Sequence, residues 1–232
     1  MIAIYNEILY RPLFNAMVYL QGLIPGGDLG LTIVILTVLI RLIFMPLSLK
    51  TIRSQKLLKE LAPKIEEVKA KFKNDTASQS AAVLKLYKEN KVNPLAGCLP
   101  LLIQIPILIA LYQVFIKGIN QESLRLLYGF IDAPEIIDQN FLGLLTVTKA
   151  NRALTLIAGG LQFLQSKQGM ALQAGPNSGS GKELAALSKQ MLYFFPIMII
   201  IIGWNLPAGL ILYWVTTTAF SMFEQSYIKR KK

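Results

Sequence analysis

LGLTIVILTVLIRLIFMPLSL, residues 29–49, runs for 21 residues with a single charge, Arg41. At about 1.5 Å rise per residue, a helix of that length crosses a bilayer core of about 30 Å. An arginine near the middle of such a span costs roughly 2.5–3.5 kcal/mol even on translocon-insertion scales. A residue kept at that cost marks an ion pair, a polar path or a polar guest.

Composition widens the reading from one span to the whole chain. Of the 232 residues, 53% are hydrophobic and 16% charged, where a soluble domain carries about 25% charge. The class is integral membrane protein. With no histidine and one cysteine, Cys98, an intrachain disulfide, a His/Cys metal site and Ser-His-Asp or Cys-His catalysis are excluded by count. No cofactor or metal is expected, and the chain does not read as an enzyme. MIAIYNEILYRPLFNAMVYL at the start lacks a basic n-region, so it does not read as a cleavable signal. The LAGC tetrapeptide at 95–98 mimics a lipoprotein box, but inside an apolar stretch it reads as a packing patch.

Working outward from 29–49, the pattern predicts an all-α fold of five transmembrane helices around a hydrophilic groove. Residues 1–28 read as an N-terminal interfacial amphipathic helix, with Glu7, Arg11 and Asn15 as its polar stripe and IPGGD at 24–28 as its break. Residues 29–232 form the core. Within it, 50–93 reads as a cytoplasmic helical hairpin: Leu57, Leu61, Ile65, Val68 and Phe72 recur at heptad-like spacing, and Asn74-Asp75-Thr76 marks the turn. The second span covers about 95–116. The third is RALTLIAGGLQFLQS at 152–166, where Gly159-Gly160 points to close helix packing. Residues 167–187 read as a flexible cytoplasmic loop; its GSGK lacks the P-loop spacing and a preceding strand. The uncharged run from Met191 to Phe223 is too long for one crossing, and GWNLPAG at 203–209 divides it into spans at about 188–204 and 207–227.

Net charge is +11, and its placement sets the orientation. Eleven of the 24 Lys and Arg fall in 50–93, Lys167, Lys182 and Lys189 in the second loop, and Lys229, Arg230, Lys231 and Lys232 in the tail. The other side holds Arg11, Lys117, Arg125, Lys149 and Arg152. By the positive-inside bias the hairpin, loop and tail are cytoplasmic and the N-terminus is outside. The same clustering between apolar spans argues against specific nucleic-acid binding.

A buried arginine normally has a carboxylate. Counted from the span ends, Glu7 and Asp28 lie outside and Glu224 lies near the cytoplasmic end, so Arg41 is expected to face water or uncharged acceptors. Thr37, Gln104, Gln162, Asn205, Thr216, Thr217 and Ser221, with Tyr213 and Trp214, are the polar and amphipathic candidates at depth. A wet, positive groove of this kind suits brief hosting of a polar or acidic segment during half a bilayer crossing. The alternative is a small-solute or ion carrier, which wants paired ionisable groups and internal repeats.

Four segments carry a resemblance: LYRPLFNAMVYL, IRLIFMPLSLKTIRSQK, NPLAGCLPLLIQIPILIALYQVF and LPAGLILYWVTTTAFSMFEQSYI. In this order they resemble the YidC/Oxa/Alb family of membrane protein insertases, in a short bacterial form. The resemblance implies an insertase and chaperone of the bacterial plasma (inner) membrane, using a groove open to cytoplasm and lipid. It implies Arg41 as the groove arginine, with Gln104 and Trp214 beside it. Implied partners are nascent membrane proteins and the lipid bilayer, with the Sec translocon, the signal recognition particle receptor and the ribosome as further possibilities.

Overall fold

The computed structural model describes residues 2–73, 75–93, 99–117, 121–133, 138–173 and 182–230. The LAGC tetrapeptide at 95–98, Asn74 and residues 174–181 of the predicted loop lie outside the described residues.

The chain is mostly helical. A short α1 (Ile2–Tyr5) passes through a π-helical turn (Asn6–Tyr10) into α2 (Arg11–Leu23). Then come α3 (Leu29–Lys71), α4 (Thr76–Glu89), α5 (Leu99–Lys117), α6 (Gln121–Leu124), a two-stranded antiparallel hairpin of β1 (Asn140–Phe141) and β2 (Leu145–Thr146), α7 (Arg152–Gln173), α8 (Lys182–Gly203) and α9 (Ala208–Arg230).

Helix ends differ from the hydropathy boundaries. The apolar run and the charged segment after it form one continuous helix of 43 residues, α3. A drop in hydropathy changes the solvent a helix wants, not its backbone hydrogen bonds. For the same reason α7 runs on to Gln173 and α8 starts at Lys182, which shortens the predicted 167–187 loop from both sides. α4 is capped by Asp75, whose carboxylate accepts from the backbone N–H of Ala77 and Ser78. The Ser78 hydroxyl, with these backbone bonds, holds it below the usual carboxylate range. Among the described residues one helical stretch, Leu29–Leu58, has both the length and the apolarity to cross a membrane; Gln104–Val114 and Leu192–Gly203 are shorter apolar stretches.

One strap fixes the register of the two central helices. Asp28 caps α3, its carboxylate accepting from Leu31 N at 2.7 Å and from Leu142 N at 2.6 Å. Leu29 N donates to Asp138 O, and Asp138 N to Gly27 O. At the other end of the strap, Ala208 N donates to Lys149 O and Gly209 N to Val147 O, each at 2.8 Å. The segment 138–150 therefore ties the N-termini of α3 and α9 together. Gly30 lets it sit close, since a Cβ there would come within 2.4 Å of Phe141 Cβ.

The core gathers where α2, α3, α5 and α9 meet: Phe14, Met17, Val18, Ile33, Leu36, Leu111, Leu210 and Tyr213 are all buried there. A second cluster of Ala158, Ile199 and Ile211 joins α7, α8 and α9. Gly159 is the close-approach residue of that contact, as its spacing predicts: a Cβ would meet Ile200 at 2.5 Å, whereas nothing lies near Gly160. Large apolar side chains stay exposed along the middle of the helices, among them Ile43 at 73%, Ile109, Ile157, Ile201 and Phe223.

Of the N-terminal polar stripe, Glu7 faces solvent, while Arg11 and Asn15 turn to partners within the protein. Glu7 and Arg11 form the expected i,i+4 ion pair at 3.0 Å, but Arg11 Nε donates to Leu126 O and its guanidinium stacks over Tyr128. Asn15, 1% exposed, donates to Arg11 O and Leu126 O and accepts from Tyr128 N. A turn distant in sequence supplies the stripe's partners. Asn15→Ala leaves the Tyr128 N–H without its partner and removes one of the two donors to Leu126 O; it is expected to cost about 1–3 kcal/mol, read as a lowered thermal midpoint of the full chain in detergent. Glu7→Ala, at the exposed pair, should leave the midpoint nearly unchanged.

Candidate functional site

The site grows from two helical stripes. On α3, Thr37, Arg41, Phe44, Ser48 and Thr51 recur at alternating intervals of four and three, so they share one face. On α9, Tyr213, Thr217, Phe220 and Glu224 do the same, with Ser221 three residues before Glu224. Packing α3 against α9 brings the stripes together over a cleft lined by Thr37, Ile40, Arg41, Phe44, Leu47, Ser48, Thr51, Gln104, Ile107 and Tyr213. Its empty space, mouth included, is about 470 Å³.

Arg41 is not short of a carboxylate. Its Nη2 donates to Glu224 Oε2 at 2.9 Å and to the Ser221 hydroxyl, and the guanidinium lies 5.4 Å from the Phe220 ring centre. Glu224 accepts from the Ser48 hydroxyl at 2.7 Å through its other oxygen. The side chains of the pair are 15% and 1% exposed. The expectation that Arg41 meets only water and uncharged acceptors is thus corrected for Glu224, and upheld for Ser221. The error lay in counting depth from the span ends. α3 and α9 leave the same strap, and Arg41 is 13 residues past Asp28 while Glu224 is 16 past Ala208. Three residues of helix is about 4.5 Å, within reach of an arginine side chain. Counting both helices from a common cap would have found the pair.

Arg41 keeps donor capacity in reserve. Its Nε–H is buried and has no hydrogen-bond partner among the described residues. Beside it, Gln104 donates to the Tyr213 hydroxyl, which anchors α5 to α9 at the cleft wall. Thr37 is buried and donates back to Ile33 O, so its methyl rather than its hydroxyl is left to face neighbours. Thr216 likewise donates to Leu212 O; Thr217 stands one turn beyond Tyr213, half-buried.

Trp214 and Gln162 are brought together elsewhere. Trp214 Nε1 donates to Gln162 Oε1 at 3.2 Å, and Gln162 donates to Gln165 and Ser166. Gln168 continues the seam, donating to Met222 O and Ser226. Successive residues on a helix point about 100° apart, so Tyr213 and Trp214 cannot share a face: one serves the arginine cleft, the other the α7–α9 seam. Asn205 is exposed in the turn between α8 and α9. Ser48 is the site residue that the sequence reading missed; its two-turn offset from Arg41 was the available signal.

A mostly helical chain that buries an arginine–carboxylate pair beside a cleft and leaves large apolar side chains exposed along its helices has the features of a membrane protein. Residues 20–232 match the family model described as 60Kd inner membrane protein. The chain is 36% identical over 205 residues to a membrane protein insertase YidC of Fusobacterium nucleatum, covering 88% of each chain. It is 33% identical over 231 residues to that of Oceanobacillus iheyensis, covering 98% of this chain and 84% of the relative. It also superimposes on the crystal structure of an active YidC insertase with its first transmembrane domain resolved. That match has a TM-score of 0.63 and 25% identity, over 98% of this chain and 47% of that one, so the chain spans about half the length of the solved protein. The chain belongs to this family of bacterial inner-membrane proteins, the YidC membrane protein insertases.

Double-mutant cycles check the division into two clusters. Arg41→Ala with Glu224→Ala, and Gln162→Ala with Trp214→Phe, should each show coupling of about 0.5–3 kcal/mol. Gln162→Ala with Arg41→Ala, which share no partner, should add to within about 0.5 kcal/mol in the same unfolding assay in detergent.

Proposed function

We propose that this chain inserts nascent membrane proteins from the cytoplasmic side of the bacterial inner membrane and helps them fold, with the Arg41 cleft as the transient host for a substrate's polar or acidic segment. Partners on this reading are nascent membrane proteins and the bilayer, with the Sec translocon, signal recognition particle receptor and ribosome as further candidates. Family membership gives the class of activity; the buried Nε–H of Arg41 in the α3–α9 cleft is the observation that carries the mechanism.

The rest of the reading follows from it. Five crossings correspond to the apolar parts of α3, α5, α7, α8 and α9, and the exposed Ile43, Ile109, Ile157, Ile201 and Phe223 face lipid tails. The N-terminal helix lies along the outer interface, and α4 with the far half of α3 forms a cytoplasmic hairpin that recruits substrate. Burial of the substrate's apolar span in lipid supplies the drive. Arg41 lowers the cost of bringing a polar tail to mid-depth by offering it charge-assisted donors in a low-dielectric setting. Gln104 holds the cleft wall, and Trp214, Gln162, Thr216 and Thr217 line the path as α9 shifts.

A solute or ion carrier also uses paired ionisable groups at depth, and Arg41–Glu224 is such a pair. Ion or solute flux through proteoliposomes above that of empty vesicles would favour the carrier. For the insertase, Arg41→Ala or Arg41→Glu should cut insertion of a small single-span substrate with an acidic tail by tenfold or more, about 1.4 kcal/mol of lost stabilisation. Arg41→Lys should keep part of the activity, since it supplies charge without the planar fork. Unchanged insertion of every such substrate by Arg41→Ala defeats the groove mechanism.

A further inference from the structure

The cleft arginine already holds a carboxylate, and the way it does so restricts what else it can hold. A guanidinium offers a carboxylate two forked sites, Nε with Nη2 and Nη1 with Nη2, and both need an N–H of Nη2. Both Nη2 hydrogens of Arg41 are engaged, one by Glu224 Oε2 and one by the Ser221 hydroxyl. The buried Nε–H is left as one unused half of a fork. A guest carboxylate can therefore bind Arg41 bidentately only by displacing Ser221 or Glu224. If Ser221 yields, two carboxylates share one guanidinium; if Glu224 yields, it loses its cation. In both cases the charge of Glu224 is set against the guest.

We propose that Glu224 is a resident competitor for Arg41, and that it sets how acidic a guest segment must be to enter the cleft. The inference rests on the reading of the cleft as the substrate host. Glu224 holds Arg41 through one oxygen on one nitrogen, while Ser48 on α3 orients its second oxygen at 2.7 Å. A single-point hold can be exchanged for a two-point one, so a guest able to use Nε and Nη2 together outcompetes it. A neutral amide or hydroxyl cannot, because it brings no charge to replace the one it removes. Glu224 thereby keeps the cleft closed and electrically neutral between guests, and Ser48 tunes how firmly.

The residue also links guest binding to helix packing. Glu224 lies on α9 and both Arg41 and Ser48 on α3, so displacement releases two bonds between these helices, Arg41–Glu224 and Ser48–Glu224. The cleft loosens only when a qualifying guest is present.

The full chain in proteoliposomes tests this, with a single-span substrate whose tail carries one carboxylate, supplied below saturation. The readouts are substrate insertion and crosslinking of the tail to the cleft. A competitor that occupies Arg41 nine-tenths of the time weakens apparent guest affinity about tenfold. Glu224→Gln, nearly the same shape without the charge, should accordingly raise crosslinking and insertion of this substrate by up to about tenfold. Ser48→Ala, which leaves both charges in place, should raise them less. Arg41→Ala should lower both readouts in parallel. If Arg41→Ala impairs capture while Glu224→Gln leaves it unchanged or lowers it, the competitor role is overturned and the hosting role of Arg41 stands. If Arg41→Ala has no effect, the hosting role itself fails. Should Glu224→Gln not fold, Ser48→Ala decides: a rise supports the competitor, and no change overturns it.

Discussion

A guanidinium inside an apolar bundle has to be satisfied by the protein, because lipid offers it nothing. Arg41 meets that demand in part, through Glu224 and Ser221 on α9, with Ser48 on its own helix steadying the carboxylate, and leaves its buried Nε–H over. Much else serves this one contact. It requires α3 and α9 to run side by side, in the same direction and at a fixed offset. The 138–150 strap imposes that offset by bonding the first turn of both helices. Gly30 and Asp28 make the strap fit, one by leaving room for Phe141 and the other by capping α3 and accepting from Leu142.

The two faces of α9 divide the polar groups of the bundle. Tyr213, Ser221 and Glu224 belong to the α3 side, and Trp214, Thr218 and Gln225 to the α7 side, where Gln162 accepts from Trp214 and a Cβ at Gly169 would touch Gln225. One side is charged and encloses the cleft. The other is neutral and closed by side-chain amides. This asymmetry suits a helix that is anchored on one side and exchangeable on the other. Neutral hydrogen bonds between membrane helices are modest individually, about 0.6 kcal/mol on average, whereas an ion pair responds strongly to an arriving charge.

The sequence made the membrane class, the helical content, the break at 203–209, the close approach at Gly159 and the placement of a lone charge at Arg41 among apolar residues legible, because each depends on local composition or spacing. It also singled out Ser221, Tyr213 and Gln104 as polar groups at depth. It misjudged the partner of Arg41, since span ends are a property of hydropathy and depth is a property of register. The polar stripe of the N-terminal helix misled for a related reason. Glu7, Arg11 and Asn15 have the spacing of a wetted face, but the backbone that satisfies Arg11 and Asn15 lies more than a hundred residues away at Leu126 and Tyr128.

What the sequence alone determined was which segments avoid water and where a charge stands among them, because apolar length and charge placement act through solvation and need no knowledge of neighbours. Only the tertiary structure decided which groups meet. The strap sets α3 against α9 to within a helical turn, and at that range the difference between an unpartnered arginine and a paired one is a few ångströms of register.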